Sequence, residues 1–545
     1  MGKRLFDKRN RFGIRKLSVG VCSVVVATCF LGVTTSYAEE QAERSETREE
    51  RVDTSDVEHQ GEEEKTVKEH QEESEQPSPA TSEKEKRTVG QGTEATHPAT
   101  SLDEETEIAD YGPLPSKAQM QYHREELAAF IHFGMNTYYD REWGDGQEDP
   151  YYFYPEHLDT DQWIKTLKDA GFKRTIMVVK HHDGFLLYPS KYTDHTIAKS
   201  GWKEGKGDVL AEVSASASKY DMDMGVYLSP WDAHSPLYHV DTEDQYNEYY
   251  LNQLKEILED PKYGNKGKFV EVWMDGARGD GAQKVTYTFD KWFDAIRKAQ
   301  GDIAIFSAEP TNVRWIGNEK GIAGDPVWHK VNPDKIRNNP SNSYLNHGDP
   351  EGKQYSVGEA DVSIRSGWFY HDNQEPKSLR ELMDIYFKSV GRGTPLLLNI
   401  PPNQDGKFAD ADVARLKEFR QTLDQLYSVN YAAGALVEAD STRRNPLYKA
   451  SHLTDGDEKT SWAPADDAKT GFFVLDLGKE QHFDVVELKE TIEKGQRISA
   501  FTIDVAVNGQ WVPYGAGSTV GYRRLIKGQP VDSRYIRVSI TDAQA

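Results

Sequence analysis

From about residue 109 onward, short apolar runs alternate with amphipathic stretches. The runs Ala129–Phe133, Thr175–Val179, Met224–Leu228, Val270–Met274, Ile303–Phe306 and Leu396–Ile400 read as buried strands. Between several of them the pattern is helical, at Asp161–Ala170, Asp208–Lys219, Thr242–Glu259 and Asp290–Ala299; a last helix, Asp410–Leu426, follows the final strand. Strand then helix, repeated, predicts an α/β fold with a parallel sheet. So many repeats between residues 109 and 430 predict a closed (β/α)8-like barrel rather than an open sheet. The stretch from about 310 to 390 is irregular and rich in Asn, Pro and Gly, so one or two barrel helices are expected to be missing there. After about 430 the pattern shifts to short β-rich runs such as Phe472–Leu477, Phe483–Leu488, Phe501–Val507 and Tyr535–Ile540, with turns at Asn508-Gly509 and Lys527-Gly528. That spacing predicts an all-β sandwich over 431–545.

The chain before residue 109 has a different character. Basic residues from Lys3 to Lys16 precede an apolar run, Leu17–Val33, and a small-residue site, Ser36-Tyr37-Ala38. Residues 1–38 therefore read as a secretory signal. The run also resembles the YSIRK-type signal of Gram-positive surface proteins, with Phe12-Gly13 where that family has Tyr-Ser. It implies a secreted protein or one on the cell surface of a Gram-positive bacterium, with no membrane span after signal cleavage. No cell-wall sorting motif is found, which leaves release and a longer chain as alternatives. Residues 39–108 are dense in Glu, Lys, Ser, Thr and Gln and cannot bury enough apolar surface to offset ordering, so they read as a disordered acidic spacer.

Both cysteines, Cys22 and Cys29, lie in the signal, so the mature protein is expected to have neither disulfide nor thiol chemistry. The signal carries seven basic residues and one acid, so its removal takes the net charge from −24 to −30. Such an acidic chain is unsuited to nucleic acid and compatible with a neutral sugar.

In a barrel of this kind the catalytic groups sit at the C-terminal ends of the strands. Those ends carry His132, the His181-His182-Asp183 run, Tyr227 to Asp232, Asp275 and, in the next loop, Arg314 to Glu319. Aromatic rings stack on the apolar faces of sugars, and imidazoles and carboxylates hydrogen-bond hydroxyls. Two carboxylates can then break a glycosidic bond, one attacking while the other protonates the leaving oxygen. Adjacent histidines point to opposite faces of a strand, so His181 and His182 make a poor metal pair, and no metal is expected. His195 and His234 carry no motif and read as structural; Trp462, in the β region, reads as core or as a sugar-facing ring.

The region from about 115 to 430 resembles glycoside hydrolase family 29, the retaining α-L-fucosidases. The matching pieces are His132-Phe133-Gly134-Met135-Asn136-Thr137, Glu142-Trp143-Gly144-Asp145-Gly146, His181-His182-Asp183-Gly184-Phe185, Tyr227-Leu228-Ser229-Pro230-Trp231 and Val272-Trp273-Met274-Asp275-Gly276. Downstream come Arg314-Trp315-Ile316-Gly317-Asn318-Glu319, Gly367-Trp368-Phe369-Tyr370-His371 and Leu397-Leu398-Asn399-Ile400-Pro401-Pro402. Eight pieces in order make the resemblance specific. It implies that Asp275 is the nucleophile and Glu319 the acid/base. It further implies a substrate-binding shell of His132, Glu142, Trp143, His181, His182, Tyr227, Trp231, Arg314 and Trp368. The Glu142–Gly146 piece and the Asn-Glu pair resemble the branch specific for α-1,3 and α-1,4 linkages in Lewis-type glycans. One departure stands out: Asn312 occupies a position where the family often has Asp, and Glu309 nearby is a rival for the acid/base.

Residues from about 430 resemble the discoidin, or factor 5/8 type C, domain through Ala450–Trp462, Val474–Gly478 and Arg534–Val538. That resemblance implies carbohydrate binding, sometimes with a structural calcium; no other cofactor is expected. The partners implied are fucosylated oligosaccharides and glycoconjugates. Two further readings stand beside the first: a broad-specificity α-L-fucosidase, and a non-catalytic fucose-binding adhesin.

Overall fold

The computed structural model describes Val24–Ala27 and residues 107–238, 243–279, 285–457, 459–465 and 468–545. The rest of the signal and residues 28–106, which include nearly all of the spacer, lie outside the described residues.

Eight strands close into a parallel barrel: β1 Leu127–Ile131, β2 Arg174–Lys180, β3 Asp223–Leu228, β4 Glu271–Trp273, β5 Ala304–Phe306, β6 Val313–Trp315, β7 Val357–Ser363 and β8 Leu396–Asn399. The closure is β8 on β1, with Leu396 opposite Leu127 and Asn399 opposite Phe130. The strands are buried on both faces, as a parallel sheet covered by helices requires. Phe130, Ile176, Val178, Tyr227, Trp273 and Val313 fill the interior. Their neighbours Ala129, Ile131, Met177, Val226 and Val272 face the helices.

Six strands and five helices fall where the hydrophobic pattern predicts them. The helices are α1 Thr160–Asp169, α2 Val209–Tyr220, α3 Glu243–Leu258, α4 Phe289–Gln300 and, last, Asp410–Leu426. Their starts are chemically marked: Asp159 accepts from the Gln162 amide and Asp208 from the Ala211 amide. The irregular region hides β6 and β7. No full-length helix follows β5 or β6; the short helices Pro333–Arg337 and Asn342–His347 lie after β6, and Leu379–Lys388 follows β7. After β5 the chain returns through residues 307–312, and Asn312 holds the return. Its Oδ1 accepts from the Ile305 amide at 2.6 Å and its Nδ2 donates to the Ile303 carbonyl at 2.7 Å. An aspartate could not make the second bond, which gives the departure at this position a structural reason.

The C-terminal region is an antiparallel sheet domain, consistent with a β-sandwich. Its strands are β9 Leu436–Ala439, β10 Gly471–Leu488, β11 Ile498–Val507, β12 Gln510–Gly517 and β13 Arg524–Ala543. The Asn508-Gly509 turn joins β11 to β12, with φ of 51° and 77°, as a tight hairpin requires. Lys527-Gly528 is not a turn. It lies inside β13, whose pairing with β10 shifts register between Phe483 and Val485, so a bulge stands where a break was expected. Trp462 is fully buried and donates to the Ser441 carbonyl at 3.0 Å, which makes it core. Val24–Ala27, from the apolar run of the signal, pairs antiparallel with residues 485–488 of β10.

Candidate active site

Strand alternation decides what reaches the barrel mouth. On β4, Val272 and Met274 face the helices, so Trp273 and then Asp275 face inward. Trp273 is locked by stacking on Phe306, with ring centres 3.8 Å apart. Phe130 sets His132 inward in the same way. On β2 a register shift between Val178 and Lys180 turns Lys180 out to Asp232 and Gln253, leaving His181 against His132 and Tyr227.

Around Asp275, the Tyr227 hydroxyl donates to Oδ2 at 3.0 Å and His182 Nε2 lies 3.9 Å from the same oxygen. The Ala277 amide donates to Oδ1 at 2.7 Å. His182 is fixed from its other side by Ser229 Oγ, 2.8 Å from Nδ1, and Trp231 stacks on it at 4.6 Å. Trp143 stands edge-on to both rings at 5.4 Å and is 58% exposed, forming the rim. His132 Nδ1 meets Asn399 Oδ1 at 2.8 Å, and His181 Nδ1 lies 3.3 Å from Asn136 Nδ2. Burial holds all three imidazoles below their ordinary range, His132 at about 3. They are neutral hydrogen-bonding groups at neutral pH, suited to sugar hydroxyls.

Across the mouth, Trp368 Nε1 donates to Glu319 Oε2 at 3.2 Å, and the Trp368 ring lies 5.1 Å from His132. Glu142 positions this tryptophan. Its carboxylate accepts from the Trp368 amide at 2.8 Å and the Phe369 amide at 3.3 Å, and meets His371 Nε2 at 2.6 Å. Gly367 permits the approach, since a Cβ there would lie 2.4 Å from Glu142 Oε1. A continuous series of contacts therefore runs from Asp275 through Tyr227, His132 and Trp368 to Glu319.

Arg314 is not brought to this mouth. On β6 the inward positions are Val313 and Trp315, so Arg314 points outward. There it donates to the carbonyls of Leu345, Ser356 and Trp328 and pins the surrounding loops. Glu309 lies 3.6 Å from Arg337. Sequence reasoning missed Asp361 of β7, which accepts from Trp315 Nε1 at 3.0 Å. Burial, with the charges of Glu319 and Asp275 adding to it, holds its carboxyl well above the usual range. Acids at alternate positions in Val357–Ser363 were the available signal. Asn399, which the sequence reading placed only within a motif, ties the Gly367–His371 strap to the barrel by donating from Nδ2 to the Trp368 carbonyl at 2.8 Å. Among the described residues no cluster of His, Cys, Asp or Glu could hold a metal ion, and no helix is long and apolar enough to cross a membrane.

Behind the mouth, Asp183 packs under the loop that carries Trp143 and accepts from the Phe185 amide at 2.7 Å. Burial, opposed by that bond and reinforced by Glu148 and Asp232, lifts its carboxyl to about 7. The native protein thus keeps a proton there that the unfolded chain gives up near pH 3.8. This contribution to stability is complete below about pH 3.8 and fades as pH rises to about 7. Asp183→Asn, neutral throughout, is therefore expected to gain on wild type across that window, by about 1.4 kcal/mol per pH unit. Urea unfolding of both proteins at several pH values checks this; a pH-independent difference contradicts it.

Comparison with known proteins identifies the families to which the segments of the chain are similar. Residues 116–425 match the Alpha-L-fucosidase family, residues 437–545 the F5/8 type C domain and residues 7–32 the YSIRK type signal peptide. That signal points to secretion or surface display in Gram-positive bacteria. Alpha-L-fucosidase 1 of Arabidopsis thaliana is 39% identical, over 79% of this chain and 85% of its own. The crystal structure of SpGH29 is 58% identical, with a TM-score of 0.79, over 81% of this chain and 97% of its own. A Ruminococcus gnavus GH29 fucosidase in complex with fucose is 40% identical, with a TM-score of 0.76, over 81% and 94%. The chain belongs to the α-L-fucosidase family, glycoside hydrolase family 29, and is an α-L-fucosidase.

Proposed function

We propose that this α-L-fucosidase is an exported exo-enzyme that removes α-1,3- and α-1,4-linked terminal fucose from Lewis-type glycans with retention. Asp275 attacks the anomeric carbon while Glu319 gives its proton to the departing glycosidic oxygen, leaving a fucosyl ester on Asp275. Glu319, now a carboxylate, takes a proton from water; that water breaks the ester, and α-L-fucose leaves with Asp275 regenerated. The observation that carries this reading is the pairing of an inward Asp275, hydrogen-bonded by Tyr227 and by the Ala277 amide, with a Glu319 tethered by Trp368 at the same mouth. The neutral His132, His181 and His182 suit a compact sugar, and the fucose bound by the Ruminococcus gnavus relative fits that expectation. Support for a branched leaving group comes from Trp143, an exposed ring at the rim on which a second sugar can stack. The signal at residues 7–32 supports export.

Incubation with a panel of α-1,2-, α-1,3-, α-1,4- and α-1,6-fucosylated oligosaccharides, followed by NMR, tests the proposal. The expected result is α-L-fucose as the first anomer, released fastest from the 1,3 and 1,4 linkages. β-L-Fucose appearing first overturns retention; equal rates across linkages favour the broad-specificity reading, and no release at all favours a binding protein.

A further inference from the structure

We infer that Gln496 and Thr519 of the C-terminal sheet domain are positioning residues for the acid/base. They grip the loop that carries Glu319, so the second domain is a working part of the catalytic centre. The inference rests on the reading of Glu319 as acid/base.

Glu319 is exposed, and its carboxylate is met by a single long bond from Trp368. Its position is therefore set mainly by the backbone of residues 316–329, which contains no helix. The first half of that loop is held by the barrel. The Gly321 amide donates to the Asp361 carbonyl at 3.0 Å, and the Ala323 amide to the Lys388 carbonyl at 2.9 Å. The second half is held by the sheet domain. The Gln496 carboxamide, fully buried, donates to the Val327 carbonyl at 2.7 Å and accepts from the His329 amide at 2.9 Å. Thr519 Oγ1 accepts from the Val327 amide at 2.9 Å, and Arg524 and Ser518 both bind the Asp325 carboxylate.

The gripping side chains are themselves braced. The buried Glu490 carboxylate accepts from the amides of Arg497, Ile498 and Gly521, which ties the Gln496 and Thr519 segments together. Ile492 and Tyr522 of the same segments join the barrel's interior cluster, so the brace is anchored in the core. Loss of the grip leaves buried backbone groups unpaired and lets the loop drift, and small displacements of a catalytic group have large kinetic effects.

The test separates proton donation from everything else. Full-length Gln496→Leu, Thr519→Val and Glu319→Gln are compared with wild type by kcat/KM on two substrates. One is α-L-fucosyl fluoride, whose leaving group needs little protonation. The other is the fucosylated oligosaccharide that wild type cleaves fastest, whose leaving oxygen needs a full proton. Gln496→Leu is expected to lose about tenfold and Thr519→Val about threefold on the oligosaccharide, with the fluoride changed by less than about twofold. Glu319→Gln must show the same split, larger. If Glu319→Gln slows both substrates equally, the acid/base reading fails. If it splits them but the two sheet-domain variants lose both rates equally, or neither, the positioning role is overturned. Should Gln496→Leu fail to fold, Thr519→Val decides the question.

Discussion

Asp275→Ala is expected to lower kcat/KM on every fucoside by on the order of 10^5-fold, because it removes the atom that forms the new bond. The loss should be indifferent to the leaving group. Tyr227 and His182 would then face a small void where the carboxylate stood. Azide can occupy that void and attack from the same face. Added azide should restore part of the rate with α-L-fucosyl fluoride and yield β-L-fucosyl azide, the product of a single inversion. Both measurements are made on purified variant, by initial rates and NMR of the azide adduct. A variant that keeps near wild-type rate would assign the attack to another group.

The second large effect belongs to Glu319, and it differs in kind. Glu319→Ala is expected to slow oligosaccharide cleavage by on the order of 10^3-fold, the usual scale of a lost proton transfer, while the first step with fucosyl fluoride is nearly spared. Azide should then intercept the ester on Asp275 and give α-L-fucosyl azide, the product of two inversions. Opposite azide anomers from the two variants would separate attacker from proton donor without reference to rate. The same anomer from both would contradict the assignment. The rival Glu309 should tolerate alanine with little change, since its carboxylate lies 3.6 Å from Arg337.

Much of the fold was legible because a covered parallel barrel writes each strand as an apolar run, and β1 to β5 and β8 do so. β6 and β7 were not legible, for two physical reasons. β6, Val313–Trp315, carries the charged Arg314 at its centre, so it does not read as an apolar run. β7 carries Glu359 and Asp361 at interior positions, so its pattern looks solvated when it is buried. Trp273 Nε1 donates to Glu359 at 2.8 Å and Trp315 Nε1 to Asp361 at 3.0 Å, contacts that arise only once the barrel closes. Burial keeps both carboxyls well above their ordinary range, so they can sit there without charge.

The site was legible as a set of strand ends, and nine of its eleven residues converge on the mouth directly. Glu142 belongs to it indirectly, through the backbone of the Gly367–His371 strap. Arg314 belongs to its motif but not to the mouth, because a motif does not tell which of two neighbouring side chains faces inward. The grip of Gln496 on the Glu319 loop could not be read from the sequence either, since 177 residues separate the two.

Covalent trapping decides whether Asp275 is the residue that receives the sugar. Incubation with 2-deoxy-2-fluoro-α-L-fucosyl fluoride slows release of the ester more than its formation, and digestion followed by mass spectrometry locates the sugar. The expected result is one fluorofucosyl group per protein, attached to Asp275. A label on any other residue, or turnover of the reagent with no ester formed, would contradict it.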